Sequence, residues 1–393
     1  MITSFRVFDP TPCRFPAPNV PLLPTPGTTS FSRRTASRYH FLGEGLPGIF
    51  FSRGRYALRA AYLRAGVGPG KVLLAPAYHC RTMLDPAIRI GADIMLYPVT
   101  PTLEPDWEAM KSLLDNPSVQ PSALLITHYF GIRQNMQQAA QFCGKFGLAL
   151  IEDCSHAYIC RRNSPPPGSF SDHVVASPYK FVPSADGGLL ISRGTPVDEG
   201  PVLSSQGLVP EIKSVWRIIE RCSRPARQLP EFQETGDSGA LGREYRQPGD
   251  ALSAMYDPKL ESLAGFRSSK LAIKLSSPDR IADARLANYA MWLKALAGVP
   301  HCRPLFPNLP EDCVPYMFPL HIDFPEPHFY RLKRLGVPIW RWDEMAESEC
   351  SVSMEYRDHL LHLPCHQSLD AKAMDWMTRM VAGVLRGEAN RAS

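Results

Sequence analysis

Between about residues 50 and 192 short apolar runs alternate with stretches of helical spacing, and this alternation limits the possible folds more than any other feature of the chain. RYALRAAYLRAG (55–66) has apolar residues at helical intervals and ends at a glycine. KVLLAPAY (71–78) then reads as a strand and RTMLDPAIRIG (81–91) as a helix. The strand-like DIMLYPV (93–99) precedes a helix in DWEAMKSLL, capped by Asp106. SALLITHYF, the helix NMQQAAQFCGKFG closed by Gly147, LALIEDC, HVVASP and GGLLISR continue the series to residue 193. Strands separated by helices of this length predict an α/β fold with a mostly parallel central sheet flanked by helices.

The flanks are different. Residues 1–40 are rich in Pro, Ser and Thr, and Pro10, Pro12, Pro16, Pro18, Pro21, Pro24 and Pro26 are expected to exclude regular structure, leaving an N-terminal arm. The large α/β domain is expected over 41–265, with EIKSVWRIIERCS as an amphipathic helix and a polar, Gly-rich flexible insertion at 228–250. A smaller C-terminal α+β domain is expected over 266–393, with a long helix in DRIADARLANYAMWLKALAG, VPYMFPLHIDF and FYRLKRLGVPI after it, and a last helix near MDWMTRMVAGVL. At 393 residues the chain exceeds what one core usually covers, in keeping with two domains.

Composition removes several classes of function. The net charge of +5 is small and the arginines are scattered, so nucleic acid is not an expected partner. No apolar run reaches the length of a membrane span, and the N-terminal MITSFRVFDPTPC carries charge and proline where a signal peptide needs an apolar segment. The ten cysteines are irregularly spaced without a CxxC, and Cys80, Cys143, Cys154 and Cys160 sit in or beside apolar runs, as small hydrophobes do. A reduced, cytoplasmic setting is the expectation. His79-Cys80 and Cys365-His366 lack the spacing of a metal site, so none is expected. GVGPGK (66–71) follows a helix and precedes a strand, the reverse of a phosphate loop. Ser171-Asp172-His173 lacks the G-x-S-x-G turn of a hydrolase nucleophile.

In a parallel α/β sheet, ligands gather beyond the carboxyl ends of the strands. There the chain places Tyr78-His79, His128, Asp153, His156, Ser177 and Lys180. A lysine amine can form a Schiff base with an aldehyde, which is what pyridoxal 5'-phosphate (PLP) requires. PLP also needs a carboxylate on its ring nitrogen, so that the protonated ring accepts carbanion electrons. Its phosphate needs a seat, which a helix N-terminus supplies. SRGRYAL (52–58) offers one, since Gly54 admits close backbone approach and Arg55 adds charge.

Read together, SRGRYAL, GVGPGKVLLAPAY, GADIMLYPV, LLITHYFG, ALIEDCSHA and SPYKFVPSADGGLLI resemble, in order and spacing, the DegT/DnrJ/EryC1/StrS family of PLP-dependent aminotransferases, of the aspartate aminotransferase fold type I. Weaker similarity runs through GFRSSKLA and RLKRLGVPI to LLHLPCHQSL. The resemblance implies that Lys180 anchors PLP and, once freed, moves the proton between substrate carbon and cofactor. It implies that Asp153 holds the ring nitrogen and that His156 contacts the ring oxygen. Gly54, Arg55 and Tyr56, with Ser177, match the phosphate seat. It further implies a homodimer and a small-molecule substrate: a keto-sugar nucleotide as acceptor, with glutamate as the expected amino donor, in polysaccharide or secondary-metabolite biosynthesis.

The chain departs from the family at three places. Where many relatives carry an aromatic residue that stacks on the PLP ring, this chain has Cys80, so the stacking falls to Tyr78 or His79 or is absent. Val175 replaces a Ser or Thr five before the lysine, and Gly265 stands about where relatives carry an asparagine reaching the neighbouring subunit's phosphate. Two alternatives remain open: a PLP-dependent sugar dehydratase, against which Lys180 argues because a histidine is typical there, and a non-catalytic member that binds a ligand or partner.

Overall fold

Seven strands form the central sheet, in the order Ile49–Phe51, Gly188–Ser192, His173–Ala176, Ala149–Asp153, Pro121–Thr127, Val72–Pro76 and Asp93–Tyr97. The last five pair in parallel, and Gly188–Ser192 runs antiparallel to both its neighbours. The computed structural model describes residues 1–27, 37–115, 120–162, 164–194, 201–223, 229–231 and 240–389. The expected α/β class holds, with a mixed but mostly parallel sheet.

The strands read as unbroken apolar runs because both faces of the sheet are covered. Leu74, Leu124, Ile126, Leu150 and Val174 pack on one side, while Leu73, Leu125, Ile151, Val175 and Leu190 pack on the other. Each fully buried side chain of this size contributes roughly 1.5–3 kcal/mol of transfer free energy. The connecting helices begin and end where local chemistry dictates. The Asp106 carboxylate accepts the Ala109 N–H at 3.0 Å and starts Trp107–Leu114. Gly147, at φ 68°, stops Met136–Phe146. GVGPGK is the turn between the helix Gly54–Arg64 and the strand Val72–Pro76.

Farther along, Cys302–Pro304, Met317–Ile322 and Leu360–Pro364 form an antiparallel sheet. The helices Pro278–Leu296, Pro325–Arg334 and Ala371–Ala389 contribute to the same core, which contains Trp292, Phe318, Leu361, Trp376 and Met377. Among the described residues, no helix is long and apolar enough to cross a membrane.

Two expectations about the flanks are corrected together. Ser4–Asp9, inside the Pro-rich arm, is a strand lying between Arg243–Pro248 and Met345–Ala346. SFRVFD ends just before the first proline and turns Phe5 and Val7 into the core, so nothing in it opposes a strand. Its partner strand is in the 228–250 segment expected to be a flexible insertion; residues 228 and 232–239 of that segment lie outside the described residues. Each segment is regular because the other pairs with it.

Candidate active site

The sheet delivers its polar residues to one cavity at the carboxyl ends of the parallel strands. Thr127 ends Pro121–Thr127, Asp153 ends Ala149–Asp153, and Ser177 and Lys180 follow His173–Ala176; all four line it. Arg53, Gly54 and Arg55, at the start of the helix Gly54–Arg64, line the same cavity, as do Cys80, Ser155 and His156.

Lys180 closes a single helical turn, Pro178–Lys180, with its N–H on the Ser177 carbonyl at 3.1 Å. Its own carbonyl accepts the Arg285 Nη2–H at 2.8 Å, and its Nζ lies 5.3 Å from the centre of the Tyr316 ring. Arg285 is fully buried and also donates to the carbonyls of Pro315 and Tyr316, at 3.0 and 2.9 Å. The loop that carries the lysine is therefore clamped from beneath by a cation that the sequence did not mark out.

Asp153 is 3% exposed, and one of its oxygens accepts the Ser155 N–H at 2.8 Å. Among the described residues no Lys, Arg or His pairs with it. Its placement at the cavity wall suits a protonated ring nitrogen as partner. Thr127 Oγ1, on the neighbouring strand and lining the same cavity, is buried and has no hydrogen-bond partner among the described residues, so it is free to meet a polar ligand atom.

Two glycines shape the start of the helix Gly54–Arg64 beside Ser177. A Cβ on Gly54 would stand 2.1 Å from Ser177 Oγ, and one on Gly188 would stand 2.2 Å from the Arg53 carbonyl oxygen. Only chains without a Cβ at both places bring the helix N-terminus and the Ser177 hydroxyl together. Ser155 Oγ adds a second hydroxyl 3.0 Å from Ser177 Oγ. The helix N-terminus, two hydroxyls and Arg55 line this end of the cavity, a donor set whose chemistry suits an anion such as a phosphate ester. The cavity's residues thus fit PLP at its ring nitrogen, its aldehyde end and its phosphate.

His156 is buried, and its ring stacks on Tyr316 at 4.2 Å. Burial, and then the nearby Lys180 and His362, hold it well below the usual histidine range, so it is neutral. Its Nδ1 accepts the Phe130 N–H at 3.4 Å, which leaves the proton on Nε2 as a donor.

Other residues singled out from sequence lie elsewhere. Tyr56 Oη donates to the Asp257 carbonyl at 3.0 Å, and its ring packs on Tyr256. Tyr78 is fully buried, with Oη 2.9 Å from His362 Nε2. His79 Nε2 accepts the Ala346 N–H at 3.1 Å. None of the three lines the cavity. His128, at another strand end, bonds Glu152 at 2.8 Å. Cys154 lies near this pair, but the Glu152 carboxylate also accepts from Gly168 N–H and Ser171 Oγ. Burial pushes Glu152 up, yet the His128, Gly168 and Ser171 contacts outweigh it and hold the carboxylate below its usual range. This cluster braces the loop after Asp153, with its ligand atoms already spoken for.

Several lining residues escaped sequence reasoning. Ser155 and Thr127 were within reach, since each adjoins a residue already chosen. Tyr179 lies beside the lysine and under the Arg53 guanidinium, 5.2 Å from its ring centre. Trp342 comes from more than 150 residues away, and only the aromatic pair in IWRWDE hinted at it.

Comparisons with known proteins bear on the family and the fold. A profile of the DegT/DnrJ/EryC1/StrS aminotransferase family matches residues 38–311. The chain is 30% identical over 152 residues to Protein MosB of Rhizobium meliloti, covering 36% of this chain and 28% of that protein. It is 26% identical over 153 residues to a UDP-N-acetyl-3-dehydro-alpha-D-glucosamine 3-aminotransferase of Acidithiobacillus ferrooxidans, covering 37% of this chain and 40% of that one. The chain thus spans well under half the length of these curated relatives. Among solved structures, the aminotransferase TlmJ of Streptoalloteichus hindustanus superposes with a TM-score of 0.62 at 20% identity, over 88% of each chain. PseC of Helicobacter pylori, an aminotransferase involved in the biosynthesis of pseudoaminic acid, gives 0.60 at 13% identity, over 86% of this chain and 87% of that one. NtdA of Bacillus subtilis, solved with bound cofactor PMP, gives 0.54 at 16% identity, over 86% and 73%. These structures share the type I aminotransferase fold, and with residues 38–311 inside the family profile the chain belongs to the PLP-dependent DegT/DnrJ/EryC1/StrS aminotransferase family.

Proposed function

We propose that the protein transfers an amino group, with glutamate as donor, to the keto carbon of a nucleotide-linked sugar, using PLP held by Lys180. The observation that carries the reading is Asp153, buried and without a cationic partner among the described residues, in the same cavity as Lys180, Gly54 and Ser177. PLP, when bound, supplies an aldehyde for the amine and a ring that takes up carbanion electrons.

Everything else is the work of this chain's side chains. Lys180 Nζ anchors the aldehyde end and, when displaced by substrate amine, carries the proton to and from the substrate carbon. Asp153 sets the charge at the ring nitrogen, and the neutral His156 offers Nε2–H to the ring oxygen. Gly54, Arg55, Ser155 and Ser177 grip the phosphate, so the reacting end is held in register with Lys180.

The sugar-nucleotide assignment draws on the family relationship and on a second cavity of about 550 Å³, which meets the first at Cys80 and Trp342. Phe15 and Trp340 offer it flat apolar walls and Arg14 and Lys333 offer cations, while Arg341 lies over the Phe329 ring and is paired with Asp343, and Glu344 lines the same cavity. A base and a diphosphate match that combination. The homodimer and the cytoplasmic setting belong to the same reading. Exposed Val209, Ile212 and Trp216 on the helix Leu208–Ser223 are an apolar face suited to a second copy.

The test is borohydride reduction of the PLP-treated protein followed by peptide mapping, with a screen of keto-sugar nucleotides and glutamate. Reduction should fix the cofactor on Lys180 alone. Labelling elsewhere, or no saturable change in visible absorbance, would sink the cofactor assignment. Turnover of only non-nucleotide ketones would sink the acceptor.

A further inference from the structure

The family's ring-stacking position is Cys80 in this chain, and its sulfur lies 3.2 Å from Thr82 Oγ1. The two aromatic neighbours cannot take over from where they stand. Tyr78 is tied through Oη to His362, and His79 is tied to the Ala346 N–H and meets Phe5 edge-on. Of the cavity's aromatic walls, Tyr179 lies under Arg53, on the side of the phosphate seat. That leaves Trp342.

We infer that Trp342 is the cofactor-facing aromatic residue of this enzyme, covering the ring face that the Cys80 position leaves bare. This assignment rests on the PLP reading above. Trp342 is 6% exposed and lines the cavity together with Cys80, Asp153 and Lys180. Four rings hold its indole: Tyr78 packs at 4.6 Å and 34°, His362 meets it edge-on at 5.5 Å and 79°, and His156 and Tyr129 stand 5.9 and 6.1 Å away. Tyr78 is thus not idle, since its fixed ring supports the one that reaches the cavity.

The chemistry suits an indole. A pyridine ring kept protonated by Asp153 is electron-poor, and tryptophan has the most electron-rich face of the aromatic side chains. An indole already locked by packing loses little freedom when the ring settles on it. Because Trp342 also bounds the second cavity, the same side chain separates the cofactor from the chamber proposed for the acceptor.

The experiment compares Trp342→Phe with Trp342→Leu. Apo-protein is titrated with PLP, following visible absorbance and the circular dichroism of the bound cofactor, with melting temperatures of both apo variants as the fold control. The leucine variant should bind PLP about ten-fold more weakly, and the phenylalanine variant within about three-fold of wild type, as stacking energies imply. The cofactor's circular dichroism band should shift in the leucine variant and not in the phenylalanine one. Equal affinity and unchanged bands in both variants overturn the assignment. Equal weakening in both, matched by equal loss of melting temperature, also overturns it, since the role is then packing alone. A wild-type protein that does not bind PLP overturns the cofactor reading itself, and this assignment with it.

Discussion

Ser177 Oγ occupies the space where a Cβ on residue 54 would stand: the two would be 2.1 Å apart, so any side chain at residue 54 must displace the Ser177 hydroxyl. Gly54→Ala should therefore cost about 1–3 kcal/mol by overpacking and weaken PLP binding. In the Ser177→Ala background the nearest remaining side-chain atom, Ser177 Cβ, is at 3.4 Å, an ordinary contact. The double variant should thus regain most of the stability lost in Gly54→Ala while still binding PLP poorly. A double-mutant cycle by urea denaturation reads the coupling. Additive stability losses would refute the steric account.

The Lys180 carbonyl, held by Arg285 at 2.8 Å, gives a second handle on the lysine. Burial pulls the Arg285 guanidinium down to about 10, so it remains cationic at neutral pH. It sits 4.4 Å from the Phe181 ring centre, and its described hydrogen-bond acceptors are three carbonyls and the Gln367 side-chain oxygen. Arg285→Met should destabilise the protein by about 2–4 kcal/mol, because those acceptors lose a charged donor. It should also slow borohydride trapping of PLP, since the lysine loop loses its brace. Wild-type trapping kinetics in a folded Arg285→Met protein would show that the clamp serves stability only.

Lys180, Asp153, Gly54 and Ser177 were legible in sequence for a common reason. Each lies at the end of a strand or the start of a helix, within short segments whose local pattern fixes direction. Tyr56 and Tyr78 adjoin such positions, but their rings turn inward because a polar partner waits there, the Asp257 carbonyl for one and His362 for the other. Trp342 and Arg285 escaped because they reach the site across more than 100 residues of chain. Arg285 in particular shares a helix face with Ile281, Tyr289 and Trp292, where a lone charge in an apolar stripe does not show by itself what it holds. The same reason hid the strand Ser4–Asp9: its pairing partner is over 230 residues away, and the prolines that follow it dominate the local composition. Local pattern carried the chemistry's direction, and long-range packing carried its walls.

Asp153→Asn separates charge from shape. Asparagine keeps an oxygen for the Ser155 N–H, now at 2.8 Å, so the loop after the strand should keep its form. What is lost is the negative charge at the ring nitrogen. The variant should fold with a near-wild-type melting temperature, and its transamination rate should fall roughly 100- to 1,000-fold, the scale of a lost electrostatic partner to developing charge. Single-turnover kinetics with glutamate checks this. A rate within a few-fold of wild type would remove Asp153 from the chemistry.

Stability should fall as the medium turns mildly acidic, and His366 offers the cleanest test. Three buried histidines, His79, His362 and His366, are each held down at about 3, mainly by burial. His362 also feels Lys180, and His366 feels Arg285, though its bond to the Pro21 carbonyl at 2.9 Å works the other way. A histidine whose folded value lies below its unfolded one leaves the unfolded chain binding more protons. Its contribution is therefore complete above about pH 6.5 and is lost as pH falls from there towards 3, at roughly 1.4 kcal/mol per pH unit for each. His366→Gln can still offer an N–H to the Pro21 carbonyl, so the N-terminal arm should stay seated, but it no longer titrates. Unfolding free energies measured by urea between pH 7 and 4.5 should therefore fall less steeply in His366→Gln than in wild type, by about one histidine's share of the slope. Parallel pH profiles for the two proteins would mean that His366 is protonated in the folded state as readily as in the unfolded chain.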